Sequence, residues 1–267
     1  RTPNPCIACN RYVKWESLLE RSMMLGADYI ATGHYARIEK LENGRYALRM
    51  SKTSAKDQTY ALYNLTQDQL SKTLMPVGDY EKDEIREIAK KFNLRVANKP
   101  DSQEICFVSD NDYASFVESE IGKKMPEGNF VTADGEILGK HKGILHYTIG
   151  QRKGLGIALG HPIFVTEIRP ETNEVVIGEN DDVFGYSLEA NNLNAMAVES
   201  FFDGMRAIGK IRYSHKGEHC TVKVLGEDRI RIDFDEKVRA ITPGQAVVLY
   251  DESGLVLGGG TIIGRCD

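Results

Sequence analysis

Residues 27–38 read ADYIATGHYARI, and they decide the fold class of the first third of the chain. Tyr29, Ile30, Ala31 and Thr32 form a short apolar run that reads as a buried strand, opening into a loop at Gly33 and His34. Upstream, Trp15, Leu18, Leu19 and Met23 recur at helical spacing, and Gly26 sits where a helix stops. A helix leading straight into an apolar strand is half of a parallel α/β unit. What would normally precede that helix is absent. Residues 3–10, PNPCIACN, stand there instead, and Asn4 and Pro5 imply an extended entry, so the cysteine pair is expected ahead of the helix.

Working outward, residues 45–50 look like a strand and the polar SKTSAKDQTY after them like a loop. In LTQDQL, Thr66 caps a helix, Gln69 closes a capping box, and Leu65 with Leu70 forms a hydrophobic staple. A further helix is expected over 81–92 with Ile85, Ile88, Ala89 and Phe92 on one face, and its exit, NLRVANKPDSQEICFV, passes through a proline turn to Cys106. Beyond Asp110 come a short helix over 113–121 and strands over 163–168 and 174–177. From about residue 188 the segments AIGKIRY, CTVKVL, RIRIDF and AVVLY, separated by Gly, Asp and Pro turns, suggest a small β-barrel or sandwich. The chain thus reads as an α/β remnant, a mixed middle domain and an all-β tail, with no internal repeat and no low-complexity segment.

With 267 residues, two domains or three small ones can each bury a core. No apolar run approaches the ~20 residues of a membrane helix, so a soluble protein is expected. The first residue is Arg1 and no charged-then-apolar leader follows, which reads as processing or a fragment. Five cysteines, Cys6, Cys9, Cys106, Cys220 and Cys266, are too sparse for a disulfide scaffold and point to a reducing, cytoplasmic setting. A net charge of −5 argues against a polyanion-binding surface over the whole protein, but phosphate binding needs only a local positive patch. Residues 138–162, LGKHKGILHYTIGQRKGLGIALGHP, contain no Asp or Glu. There Lys140, Lys142, Arg152 and Lys153 are positive, and His141, His146 and His161 are candidates to add to them.

A C-x-x-C alone is a weak signal, compatible with redox chemistry, metal ligation or mere proximity. A thioredoxin-type site needs its pair at a helix start after a strand, and no strand precedes Cys6. Zinc usually takes four ligands from two knuckles, and no second knuckle exists. Three thiolates, with Cys106 joining the pair, would suit an iron–sulfur cluster with one open iron. Cys106 in DSQEICFV also reads as a buried strand cysteine, and Cys220 and Cys266 as structural. His34 follows a strand end, where open α/β sheets bind ligands, although a lone histidine there is more often structural. GLGIALG over 154–160 lacks the spacing and the ribose-binding acid of a dinucleotide fingerprint, and no phosphate loop of the G-x-x-x-x-G-K-[ST] type occurs.

RTPNPCIACN, ATGHYAR, AKDQTYALY, PDSQEICFV, LHYTIGQRKGLGI and ITPGQAVVLYD, in that order, resemble the tRNA-specific 2-thiouridylases, the MnmA family, across essentially the whole chain. The resemblance implies the C-terminal part of a Rossmann-like ATP-pyrophosphatase (PP-loop) domain over 1–112, a mixed α/β tRNA-binding middle domain over 113–187 and a β-barrel over 188–267. The family's S-G-G-x-D-S nucleotide loop is absent from these residues, so a truncated enzyme, inactive alone, is expected.

The reaction the resemblance implies replaces the C2 oxygen of a wobble uridine with sulfur, using ATP with Mg, tRNA and a sulfur-donor protein. It matches Cys106 to the persulfide carrier and Cys9 to its partner cysteine, and Gly33 to a position near the adenine. Asn4, Pro5 and Cys6 match the segment that meets the target base, Lys56, Asp57 and Gln58 a tRNA-contacting segment, and Arg212 with Tyr213 a contact in the β-domain. Cys6 stands where many members have Asp. With Cys9 and Cys106 it makes a three-cysteine set like that of related thiolases holding a [4Fe–4S] cluster, so persulfide and cluster mechanisms both remain open. Two other classes also stand: a redox or metal-binding C-x-x-C module without RNA, and an RNA-binding protein with incidental cysteines.

Overall fold

The computed structural model describes residues 2–95, 108 and 112–266. Its first element is one continuous helix over 5–24. Asn4 is its cap, accepting from the Cys6 and Ile7 amides at 3.1 and 3.3 Å, and Pro5 occupies the first helical position, where its missing N–H costs nothing. The cysteine pair therefore lies inside the helix rather than ahead of it. Between Cys9 and Leu18 the helix widens into π-type turns before closing normally through Leu19–Met24. Trp15 and Leu19 are its buried residues that enter the core, and Gly26, at φ +86°, ends it.

The strand that follows, β1 (Ile30–Ala31), is only two residues long and pairs in parallel with β4 (Thr73–Leu74). The parallel unit is present, but the strand is not buried, with Tyr29 55 % exposed and Leu74 49 % exposed. An antiparallel hairpin, β2 (Ala36–Lys40) and β3 (Tyr46–Met50), lies beyond it. The helix Gln67–Ser71 carries the expected capping box, and both members of its staple, Leu65 and Leu70, are buried. The helix Lys82–Lys91 forms as expected, yet of its apolar face only Ala89 is buried; Ile88 is 39 % and Phe92 68 % exposed.

The middle of the chain holds the helix Tyr113–Ile121 and a four-stranded sheet. Its strands are β5 (Gly128–Val131), β6 (Ile137–His141), β7 (Phe164–Arg169) and β8 (Glu174–Gly178), in the order β6-β5-β8-β7. Phe130, Tyr147, Leu155, Val165 and Val175 fill its core. The tail is a closed barrel rather than a sandwich. It comprises β9 (Phe184–Ala195), β10 (Arg206–Lys210), β11 (Glu218–Gly226), β12 (Arg229–Arg239), β13 (Ala246–Tyr250) and β14 (Val256–Arg265), ordered β10-β11-β12-β9-β14-β13.

Strand β13 joins the barrel to the α/β part. Side chains alternate across a strand: Val247 and Leu249 enter the barrel core, while Ala246, Val248 and Tyr250 enter a second core with Trp15, Leu48, Tyr60 and Leu62. Tyr60 donates its hydroxyl to Ala246 O at 2.8 Å. Arg45 donates to Ala195 O and Met196 O at 2.9 and 2.8 Å, and Asn194 to Tyr63 O at 2.7 Å.

Gly259 on β14 permits this approach, because a Cβ there would stand 2.4 Å from Val247 O and 2.8 Å from the Tyr63 ring. Gly264 on the same strand faces open space. Gly259→Ala is expected to destabilise the chain by about 1–3 kcal/mol through overpacking, while Gly264→Ala stays within about 0.5 kcal/mol of the parent, as read by urea unfolding.

Candidate functional site

Three stretches far apart in sequence meet at the seam between the α/β part and the barrel. The first is the start of the helix over 5–24, where Cys6 is exposed and Cys9 is half-buried with a free thiol. One residue on, Asn10 is buried and donates to Ala61 O at 2.9 Å. Its Oδ1 accepts from Lys14 Nζ at 2.9 Å, and Lys14 Nζ also stands 3.2 Å from His34 Nε2.

An ammonium has only protons to give. His34 Nε2 is therefore the acceptor and Nδ1 keeps the ring proton, donating to Thr32 Oγ1 at 2.9 Å. Burial, then the neighbouring Lys14 charge, lowers the His34 pKa to about 4, and its ring lies against Trp15 with centroids 5.5 Å apart. Gly33, just before it, does not have positive φ, and a Cβ there would meet nothing within 4 Å. Nothing among the described residues demands glycine at this position.

The second stretch is the turn carrying Lys56, Asp57 and Gln58. The Asp57 carboxylate points inward and is 8 % exposed. One oxygen accepts from Ser51 N at 2.9 Å, the other from Thr59 N at 3.3 Å and Thr59 Oγ1 at 2.5 Å. Burial raises its pKa against those hydrogen bonds and the attraction of Lys210. Gln58 accepts from Tyr35 N and donates its own amide to Tyr35 O, both at 2.9 Å, which fixes the turn to the chain just after Gly33 and His34.

The third is the barrel loop after β10. Arg212 donates to the backbone carbonyl of Arg239, and burial followed by the Arg239 charge pulls its guanidinium below the ordinary range. The Tyr213 ring stands edge-on to Tyr60 at 6.4 Å. Burial raises its phenol, the Asp57 and Cys6 charges add to the rise, and Lys56 opposes it. Cys6, Lys56, Asp57 and Tyr213 therefore share one electrostatic neighbourhood, with Arg212 adjoining it.

Asn4, Cys6, Lys56, Gln58, Arg212 and Tyr213 thus lie along one seam, while the side chain of Asp57 serves the protein interior. Cys106 lies outside the described residues, so its relation to Cys9 does not enter here. Among the described residues no group of three or more His, Cys, Asp or Glu side chains is placed to hold a metal ion. The cluster reading needs Cys106 beside Cys6 and Cys9, and it falls on a residue outside those described.

In the acid-free segment, Arg152 and Lys153 are exposed on a turn shaped by Gln151, which accepts from Thr148 N and donates to Lys153 O, both at 3.0 Å. The expectation for His141 is corrected. It is buried, its Nδ1 accepts from Gly143 N and its Nε2–H donates to Asn173 O, both at 3.0 Å, and burial lowers its pKa. It adds no positive charge. His146 has an acid beside it, Glu118, at 3.8 Å. No described helix is long and apolar enough to cross a membrane.

Sequence reasoning passed over Asn10, Lys14, Lys210 and Arg239. The first two carried a legible signal, since Asn10 and Lys14 are four apart on a helix and an asparagine inside a helix is disfavoured unless its amide has work to do.

The His34 geometry predicts a pH dependence. The folded pKa of about 4 lies below the ordinary 6.5, so the unfolded chain takes up the proton first as pH falls. The stability that the neutral ring contributes is complete above about 6.5 and is lost as pH drops toward about 4. Urea unfolding at a series of pH values is expected to lose part of this acid step in His34→Gln. In Lys14→Met, with the cation gone, the His34 pKa read by NMR is expected to rise.

Comparison with known proteins agrees along the length of the chain. A family model described as the tRNA methyl transferase HUP domain matches residues 1–110, the tRNA methyl transferase PRC-barrel domain matches 114–179, and the aminomethyltransferase beta-barrel domain matches 187–262. The tRNA-specific 2-thiouridylase MnmA of Lachnoclostridium phytofermentans is 69 % identical over 263 residues, covering 98 % of this chain and 73 % of the relative. The protein of the same name from Clostridioides difficile is 56 % identical, with the same two coverages. That from Carboxydothermus hydrogenoformans is 53 % identical, covering 98 % of this chain and 72 % of its own length. The chain belongs to the tRNA-specific 2-thiouridylase family.

Proposed function

We propose that this chain binds tRNA along the seam and contributes the thiol chemistry of uridine 2-thiolation. The observation that carries the reading is the convergence of Cys6, Lys56 and the Arg212–Tyr213 pair from segments about 50 and 150 residues apart in sequence. We take residues 1–112, 113–187 and 188–267 as the three working units.

ATP supplies the activation that turns the uridine C2 oxygen into a leaving group. Gly33 follows a parallel strand end, where open α/β sheets receive ligands, and its open backbone is compatible with a nucleotide base. The remaining work falls to the chain. The Cys106 thiol carries the sulfur as a persulfide delivered by a donor protein. The Cys9 thiolate attacks the Cys106 sulfur, a Cys9–Cys106 disulfide forms, and the released hydrosulfide adds at C2 and expels the adenylated oxygen as AMP. Two electrons return from an external dithiol, which is oxidised to its own disulfide as the Cys9–Cys106 bond reopens. The target uridine leaves its stack to reach these groups, with the half-exposed ring of Tyr213 available to stack on a neighbouring base.

Persulfide relay and cluster chemistry part at Cys6. In the relay, Cys6 is an accessory, and Cys6→Ser joined to the family's S-G-G-x-D-S segment is expected to thiolate tRNA without iron; activity that follows iron and sulfide content after anaerobic reconstitution would overturn the relay. Cys106→Ala in the same setting is expected to abolish thiolation, and a normal rate of thiolated transcript would refute its role. For RNA binding, Arg152→Ala with Lys153→Ala is expected to weaken tRNA binding by the chain and flatten the dependence of log K on log salt by about two contacts' worth; an unchanged slope counts against the middle domain as a binding surface.

A further inference from the structure

We propose that Arg239 and Arg212 together form a site for one backbone phosphate of the RNA, at the junction of barrel and middle sheet, with the Arg152–Lys153 turn on its rim. The proposal rests on the tRNA reading above and adds Arg239 to it.

Arg239 ends strand β12 and faces the middle sheet. Its Nη2 donates to Gly150 O at 3.1 Å, and its guanidinium carbon lies 5.2 Å from the centroid of the Phe164 ring. The hydrogen bond and the aromatic face hold the group in place and leave most of its N–H fork unused. Arg212 reaches the same spot, donating to the Arg239 carbonyl. The two arginines therefore share one corner, tied by that bond from a side chain to a backbone carbonyl, and the charge of Arg239 lowers the pKa of Arg212. Like charges at one corner repel, and an anion bound between them relieves that repulsion. Among the described residues no carboxylate lies within ion-pair distance of either, although arginines elsewhere on the barrel are paired: Arg206 with Asp235, Arg229 with Glu189 and Arg231 with Asp233.

The backbone at this corner is built for close approach. Ala240, directly after Arg239, is buried in the left-handed region at φ +59°, a conformation that costs a residue with a Cβ. It is held there by its N–H to Val183 O at 2.7 Å. Opposite it, a Cβ on Gly150, which has φ +85°, would stand 2.7 Å from the Ala240 Cβ and 3.1 Å from Arg239 Nη1. Only glycine lets the turn leading to Arg152 and Lys153 seat against Arg239. Cations from two domains thus meet across one short junction. A phosphodiester answers that arrangement because its non-bridging oxygens accept from both forks at once.

The test uses the chain as it stands and a tRNA transcript. With Arg239→Gln, the slope of log K against log salt is expected to fall by about one, whereas Arg239→Lys keeps the slope. Chemical footprinting needs no variant: phenylglyoxal is expected to modify Arg239 in the free chain and to be blocked at saturating tRNA, with Arg229 at the far end of β12 modified equally in both. Binding with an unchanged slope in Arg239→Gln, or equal modification of Arg239 with and without RNA, overturns this site and leaves the wider tRNA reading standing. Failure of the unaltered chain to bind tRNA overturns both.

Discussion

The seam depends on one buried carboxylate. Asp57 places both its oxygens on donors from its own turn, Ser51 N, Thr59 N and Thr59 Oγ1, and Thr59 Oγ1 in turn meets the Tyr250 hydroxyl at 3.2 Å. Tyr250 belongs to the barrel, so a local turn motif reaches directly into the strand that joins the two parts. Lys210, on the neighbouring barrel strand, sits 5.7 Å from the Tyr250 ring centroid, and its pKa is lowered by burial and held up by Asp57. A buried ion is destabilising unless its lone pairs are satisfied. Asp57 is well satisfied within its own turn, and through Thr59 that turn is tied to one strand of the barrel. Lys56 and the Arg212–Tyr213 loop flank that link.

Strand β13 follows the same logic in apolar terms. All five of its residues are buried, because one face closes the barrel and the other lies on Trp15, Leu48 and Tyr60. A strand of an ordinary barrel with one wet side would alternate apolar and polar residues. AVVLY does not, and that departure is the mark of a strand covered on both faces.

Local signals were legible where a few adjacent residues decide the outcome. The capping box at Thr66 and Gln69, the stop at Gly26 and the helix Tyr113–Ile121 each need only their own neighbours. The cysteine pair was misjudged for a similar reason: Asn4 followed by Pro5 reads as extended chain, but an asparagine cap with proline at the next position is equally a helix start. Burial was not legible locally. The apolar run at 29–32 and the face of the helix Lys82–Lys91 both look like core, yet Tyr29 and Phe92 are exposed, because the described residues bring no layer against them. His141 failed as a cation because its environment, and not its type, sets its protonation. Of the seam, the family motifs singled out segments that the fold brings together, and the Asn10–Lys14 spacing was legible on the helix, but Lys210 and Arg239 enter through long-range contacts that no short motif encodes.

The net charge of −5 at first tells against an RNA-binding surface, and the structure shows why it is a poor guide. A sum over the chain ignores who is paired with whom. Many acids are spent on near neighbours, such as Glu39 on Arg49, Glu189 on Arg229 and Asp235 on Arg206. Asp57 is turned inward onto backbone donors. These pairs cancel at short range and contribute little to the potential beyond a Debye length of about 8 Å in physiological salt. At the seam and the adjoining junction the partition runs the other way, since Arg212, Arg239, Arg152 and Lys153 form no ion pair with the described residues. Those four charges stand there without a carboxylate partner among the described residues. An acidic protein can therefore present a cationic face, provided its acids are used up elsewhere.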